Sequence, residues 1–290
     1  MSRPNILHPE FTWHTAPTVD QLRKRLSTAP YTPRLRRVTP FWVQRIIWPL
    51  PFGLLLKHSD GTRIEEVVTT RAAYEAGIPV PKIISYGAHL DSMAEVSILM
   101  TRMPGEELFQ ELWEWFEPEE KQTTILAMKE ILRFVHNWGR NPSAKSALIC
   151  SIMGTPIRSV RVPYKLMPPC LDEAEFNRRL IQPADPTSYD FEEHMARAKT
   201  LDSQTHEVVF THGDLAPHNM LVMSDGRIAG LIDWEAAGYY PNYWEYTTAW
   251  GIGTEGWWFD LVHELADGKY HNEREADAGR WLLTNGTMCW

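Results

Sequence analysis

The chain has 290 residues, 43% hydrophobic and 23% charged, with 21 Pro, 17 Gly and 3 Cys, which is enough for one large domain or two lobes and excludes a collagenous, disulfide-framed or wholly disordered protein. A formal net charge of -8 argues against non-specific nucleic-acid binding, which depends on neutralising phosphates with Lys and Arg. No run approaches the roughly 18 apolar residues that span a bilayer, and Met1-Ser2-Arg3-Pro4 opens no apolar leader, so a cytoplasmic protein with no membrane or nucleic-acid partner is expected.

A basic cluster comes first: Arg23, Lys24, Arg25, Arg34, Arg36 and Arg37 read as a solvated surface ahead of the first sheet. Residues 41–47 are rich in β-formers, and a second such run, 52–57, follows Pro49-Leu50-Pro51, predicting a hairpin. After the turn chemistry of His58-Ser59-Asp60-Gly61, residues 63–76 carry helix formers and no proline, predicting a helix that Gly77-Ile78-Pro79-Val80-Pro81 stops. Strands are predicted over 82–86 and 96–100, the second closed by Pro104-Gly105. The order is therefore β-β-α-β-β.

From residue 106 to 136 apolar residues recur at three- and four-residue spacing, the period of a helix. Residues 140–170 look irregular, with many prolines, and 173–181 predict a further helix. Short strands are expected at 206–210, 220–223 and 228–232, the last two joined by Ser224-Asp225-Gly226. Beyond them the chain reads as helical and aromatic. Cys150, Cys170 and Cys289 are odd in number and widely spaced, as suits reduced thiols.

The chemistry concentrates in Thr211-His212-Gly213-Asp214-Leu215-Ala216-Pro217-His218-Asn219, with Asp233 following in Leu231-Ile232-Asp233-Trp234-Glu235. Phosphoryl transfer needs a carboxylate to orient and deprotonate the acceptor hydroxyl, and oxygen ligands that hold Mg²⁺ against the nucleotide phosphates. Asp214, Asn219 and Asp233 supply that set. His212 reads as a brace for the loop backbone and His218 as packing. A transition-metal site built from His212, Asp214 and His218 lacks a completing histidine cluster.

The pattern H-x-D-x-x-x-x-N followed by a metal-binding Asp is that of kinase catalytic loops. In the form found here it resembles the aminoglycoside phosphotransferase family, including its fungal members. The likeness extends to Gly53-Leu54-Leu55-Leu56-Lys57, Glu65-Glu66, Ile78-Pro79-Val80-Pro81 and the hinge-like Ser97 to Gly105, and covers about residues 40–255. The resemblance implies an α+β, protein kinase-like two-lobed fold, with a small β-rich N-lobe over 1–103 and a larger, mainly helical C-lobe over 104–290. It implies an ATP- and Mg²⁺-dependent phosphotransferase acting on a hydroxyl of a small-molecule acceptor. Asp214 would be its catalytic base, and Asn219 and Asp233 its metal ligands. Lys57 would contact nucleotide phosphates in an ion pair with Glu66, Glu65 being the alternative. Thr101 and Met103 would meet adenine through their main chain, with Met100 behind the ring.

One departure stands out. The stretch 45–53 holds a single glycine, Gly53, where kinases carry a glycine-rich phosphate loop, and this leaves a nucleotide-binding or interaction protein without turnover as the alternative. For the acceptor, Glu235, Glu245, Glu255 and Asp260 are candidates for an acidic cleft, and Trp234, Trp244, Trp250, Trp257 and Trp258 for a pocket wall or for core.

Overall fold

The computed structural model describes residues 47–58, 62–88, 96–138, 148–251 and 254–284. Its first strands, β1 (Ile47–Leu50) and β2 (Leu54–His58), are antiparallel in the register Ile47↔Lys57. β1 begins where the expected first strand ends; residues 41–46 of that strand, the basic cluster at 23–37 and Cys289 lie outside the described residues. Pro49 sits inside β1 rather than in a break. Among the described residues β1 is an edge strand, and an edge tolerates proline, whose missing N–H costs no bond when it faces away from the sheet. The turn Pro51–Gly53 holds Phe52 at φ 65 and Gly53 at φ 68, left-handed geometry that closes a tight hairpin.

Helix α1 (Ile64–Glu75) opens with Glu65 and Glu66, whose charge suits a helix N-terminus. It ends with Gly77 N–H donating to Tyr74 O (3.1 Å) and Ile78 N–H to Ala73 O (3.0 Å), a paired cap that turns the chain into β3 (Ile83–Ala88). With β4 (Val96–Thr101) the described residues form a four-stranded sheet in the order β1-β2-β4-β3, antiparallel throughout. The β-β-α-β-β order read from the sequence is thus present.

The helical stretch expected over 106–136 is subdivided. Glu106–Glu107 form β5, Gln110–Trp115 α2 and Pro118–His136 α3. Pro118 at the first turn, with a reciprocal cap between Glu117 and Glu120, fixes the start of α3. The irregular segment contains β6 (Cys150–Ser151), β7 (Ile157–Arg158) and β8 (Leu166–Met167), and α4 (Glu173–Ile181) follows, capped by Asp172 Oδ1 accepting from Glu175 N (2.8 Å). Next come α5 (Phe191–Ala198), β9 (Val208–Thr211), β10 (Met220–Val222) and β11 (Ile228–Leu231). A strand the sequence did not suggest, β12 (Gly238–Pro241), lies between β6 and β9. Helices α6 (Trp244–Trp250), α7 (Trp257–Leu265) and α8 (His271–Thr284) close the described chain. Among the described residues no helix is long and apolar enough to cross a membrane.

Two apolar cores flank the site. The sheet's own core is Val67, Val96, Ile98 and Met100. The other joins Met128, Ile131 and Leu132 of α3 to Phe210, Met220, Leu231 and Trp234, and it also takes in Val68, Ala72 and Ala76 from α1. Helix α1 therefore belongs to both. Its Pro79 turn is tied to β11 by Leu231 N–H donating to Pro79 O (2.8 Å).

Candidate active site

Lys57 leaves β2 into the space between the sheet and the C-terminal part, where it is 4% exposed. Its Nζ donates to Glu66 Oε1 (2.9 Å) and to Asp233 Oδ1 (2.7 Å). Burial works against the ammonium, but the Glu66 and Asp233 carboxylates outweigh it, so the Lys57 pKa is raised and its charge is secure at neutral pH. Burial pushes the Glu66 carboxyl upward while Lys57 draws it down. The adjacent Glu65 goes elsewhere: its Oε1 accepts from Thr155 Oγ1 (2.6 Å) and from Arg63 Nη2 (3.2 Å). Of the two glutamates, Glu66 is the lysine's partner.

Between β9 and β10 the loop 212–219 is held by its backbone. Gly213 stands at φ 78, and a Cβ there would fall on the Ala236 carbonyl, so only glycine fits. His212 donates from Nε2 to Ile232 O (2.9 Å) and accepts at Nδ1 from Asp214 N (3.3 Å). Burial lowers its pKa, which makes it a neutral brace. Glu245, fully buried on α6, accepts from His212 N (2.7 Å) and Gly213 N (3.1 Å). Asn219 Nδ2 donates to Asp214 O (2.8 Å) and Oδ2 (3.1 Å), fixing both side chains of the pair. Burial raises the Asp214 carboxyl, and Asp233 adds to the effect.

Asp233 follows β11 in a left-handed conformation, φ 62, with its side chain 35% exposed. Aspartate is among the residues that tolerate this backbone geometry. Ile232 N–H donates to Asn219 O (3.0 Å), so the two expected metal ligands are joined through one backbone bond. The carboxylates of Glu66, Asp233 and Glu235 bring ligand oxygens within 4.8 Å of one another. This hard-oxygen set, with the Asn219 amide nitrogen already turned to Asp214, fits a divalent cation of the Mg²⁺ type.

Beside these groups lies a cavity of about 510 Å³. Leu55 and Met100 of the sheet, Met103 of the hinge, and Leu221 and Ile232 of the C-terminal part line it, with Lys57, Glu66 and Asp233 also on its wall. Thr101 is not on that wall; its N–H donates to Lys82 O (3.0 Å) and its Oγ1 accepts from Lys82 N (2.9 Å). The acidic cleft separates on inspection. Glu245 serves the loop backbone from full burial, and Glu235 belongs to the carboxylate group, where burial and then Asp233 raise its pKa. Trp244 and Trp250 are core, at 0% and 4% exposure, and wall no open pocket, whereas Trp234, buried at 1% exposure, stands on the wall of this cavity next to Ile232 and Asp233. Sequence reasoning gave Glu245 no role beyond acidity and did not reach Arg158, which stands 3.8 Å from Glu235.

Residues 56–281 match the sequence profile described as "Phosphotransferase enzyme family". No curated protein is matched. Among solved structures, a thermostable mutant of aminoglycoside phosphotransferase APH(4)-Ia in its apo form is similar at 14% identity and TM-score 0.55, over 83% of this chain and 84% of that one. Its ternary complex with AMP-PNP and hygromycin B gives 16% identity and TM-score 0.54, over 80% of each chain. The gentamicin complex of APH(2″)-IIa gives 14% and 0.51, over 80% of this chain and 75% of that one. At such identities the likeness speaks for the fold: a β-sheet N-terminal region and a helical C-terminal part, as in the protein kinase-like aminoglycoside phosphotransferases.

Proposed function

We propose, from the premise that this chain belongs to the phosphotransferase enzyme family, that it moves the γ-phosphoryl group of ATP to a hydroxyl of a small-molecule acceptor in a Mg²⁺-dependent reaction. The observation that carries this is the meeting of Lys57 from β2 with Asp233 from the end of β11, 2.7 Å apart, beside an apolar cavity and next to the Asp214–Asn219 pair. Three distant parts of the sequence thereby converge on the groups that phosphoryl transfer requires.

In this reading the apolar wall receives adenine, with Met100 behind the ring and the main chain of Met103 at its polar edge; Thr101, expected there too, lies off that wall with its N–H bonded to Lys82 O. Lys57, held by Glu66, neutralises the α- and β-phosphates. Asn219 and Asp233 would hold Mg²⁺, with Glu235 in reach; when bound, the ion offsets the phosphate charge and orients the phosphate oxygens. Asp214 takes the proton of the acceptor hydroxyl as that oxygen bonds the γ-phosphorus. The bond from phosphorus to the bridging oxygen breaks in the same step, and its electron pair leaves on ADP.

The lobes divide near residue 103, with nucleotide binding before it and the catalytic loop, metal ligands and acceptor pocket over 104–290. Membership of the fungal-type branch, from the resemblance of the 212–219 loop together with Ile232-Asp233-Trp234-Glu235, and a cytoplasmic setting complete the proposal. Calorimetric titration with AMP-PNP, with and without Mg²⁺, tests it beside the Asp233→Ala variant. Mg²⁺-dependent binding in the parent that the variant loses is expected. Absence of binding under both conditions would sink the reading.

A further inference from the structure

Arg158 projects from β7 in the segment that the sequence made irregular. β7 pairs with β8 in the register Ile157↔Met167 and Arg158↔Leu166, and Ile157 and Met167 are buried together with Val162 and Phe176. A few residues earlier the chain is pinned to α1, because Thr155 Oγ1 donates to Glu65 Oε1 (2.6 Å) and Thr155 O accepts from Ser151 N (3.0 Å). Arg158 is thus mounted on a strand fastened at both sides. Its Nε lies 3.8 Å from Glu235 Oε1, with the two side chains 26% and 27% exposed. That is ion-pair distance rather than hydrogen-bond distance.

Glu235 locates this guanidinium relative to the chemistry. A carboxylate oxygen of Glu235 falls within 4.8 Å of one on Asp233 and one on Glu66, and Glu235 feels the charge of both Asp233 and Asp214. A γ-phosphoryl group passing from nucleotide to acceptor must lie between the metal ligands and the base. Lys57 and Arg158 are permanent cations whose fields reach these carboxylates. Lys57 is committed to Glu66 and Asp233, and His212 is bonded to Ile232 O. His218 is exposed at the loop surface. Arg158 brings a permanent charge on a planar fork of donors, a geometry matched to phosphate oxygens and absent from lysine or histidine.

We propose that Arg158 is a catalytic residue that grips the γ-phosphoryl group from the Glu235 side of the site, while Lys57 serves the α- and β-phosphates. This rests on the phosphotransferase reading above. In the absence of nucleotide Glu235 keeps the guanidinium at the carboxylate cluster, and the nucleotide's terminal phosphate replaces that carboxylate as its partner. The β7–β8 hairpin thereby belongs to the reaction rather than to the surface.

The test compares dissociation constants for Mg²⁺–AMP-PNP and Mg²⁺–ADP in the wild-type chain, Arg158→Met and Arg158→Lys, by calorimetry. Loss of a charge-assisted contact to the third phosphate should weaken AMP-PNP binding by about tenfold or more in Arg158→Met and leave ADP within about twofold. Arg158→Lys, which keeps the charge but not the fork, should fall between, and it carries the test if melting shows that Arg158→Met does not fold. An unchanged ratio of the two constants, whether both nucleotides weaken or neither does, overturns the assignment and leaves Arg158 a structural partner of Glu235. A wild-type chain that binds neither nucleotide fails earlier and differently, because it removes the phosphotransferase reading itself.

Discussion

The sheet that carries Lys57 and the hairpin that carries Asp214, Asn219 and Asp233 are built to different densities. In the sheet, the buried apolar core is Val67, Val96, Ile98 and Met100, with Leu55, Ile64, Ile83 and Tyr86 only partly covered. Around the catalytic loop, Phe210, Leu215, Met220, Leu231 and Trp234 are sunk in a core that runs through α3 to α7. Helix α1 bridges them, giving Val67 to the first core and Val68, Ala72 and Ala76 to the second. Glu66 lies on this bridging helix and faces a lysine from the lighter region. Packing around Leu215, Met220 and Leu231 holds the segments that carry Asp214, Asn219 and Asp233, whereas polar contacts to Glu66 and Asp233 fix the register of Lys57 against them.

The largest expected effect lies wholly on the dense side. Asp214→Asn keeps the shape of the loop and can retain a contact with Asn219, but it removes the proton acceptor. Turnover should fall about a hundred- to ten-thousand-fold, with AMP-PNP affinity and melting temperature close to wild type. A variant that stayed fully active would show that the base is another group. Lys57→Met then attacks the link between the two regions. It leaves Glu66, 3% exposed, and Asp233 facing each other without a cation. Breaking a buried pair from one side typically costs about 3–5 kcal/mol; the partial exposure of Asp233 lowers the expectation to about 2–3 kcal/mol. Amide hydrogen exchange should quicken in β1 to β4 and hold steady in β9 to β11. Equal acceleration in both would mean that the sheet is anchored by something other than this lysine.

The same contrast explains what could be read from the sequence. Residues 54–58, 64–75 and 96–101 are continuous runs punctuated by turn chemistry, so the sheet and its helix were legible in order. The loop was legible because Asp214, Asn219 and Asp233 are polar residues set among apolar strand ends. What stayed hidden depends on partners distant in the chain. β6, β7 and β8 have two residues each, too few to show alternation, and β12 is Gly-Tyr-Tyr-Pro, which by composition is a turn. Pro118 stands at the start of α3, a position proline favours, but apolar residues at helical spacing on both sides of it hide the boundary. Glu245 and Arg158 carry no local signature, since one is a glutamate near a helix start and the other lies in a proline-rich stretch. Only the folded chain brings Glu245 to the His212 and Gly213 amides and Arg158 to Glu235.

Glu245 is the dense region's own polar anchor, and its effect should be the smallest and the most dependent on pH. Burial pushes its carboxyl from 4.5 up to about 7, against the pull of the two backbone N–H groups. A folded-state pKa above the unfolded one means that the folded chain holds the proton more tightly. The group's contribution to stability is therefore complete below about pH 4.5, declines as pH rises, and is exhausted above about pH 7. Glu245→Gln removes this titration, so its unfolding free energy should change less between about pH 5 and about pH 8 than that of the wild type. The amide also presents an N–H to a backbone N–H, because glutamine has one acceptor oxygen where the carboxylate has two. One loop donor then loses its partner, at about 1–3 kcal/mol. Denaturant unfolding at the two pH values separates these effects: the lost acceptor lowers stability at both, and the lost proton flattens the difference between them. An unaltered pH dependence would show that Glu245 is ionised throughout and that the loop rests on a buried charge rather than on a buried acid.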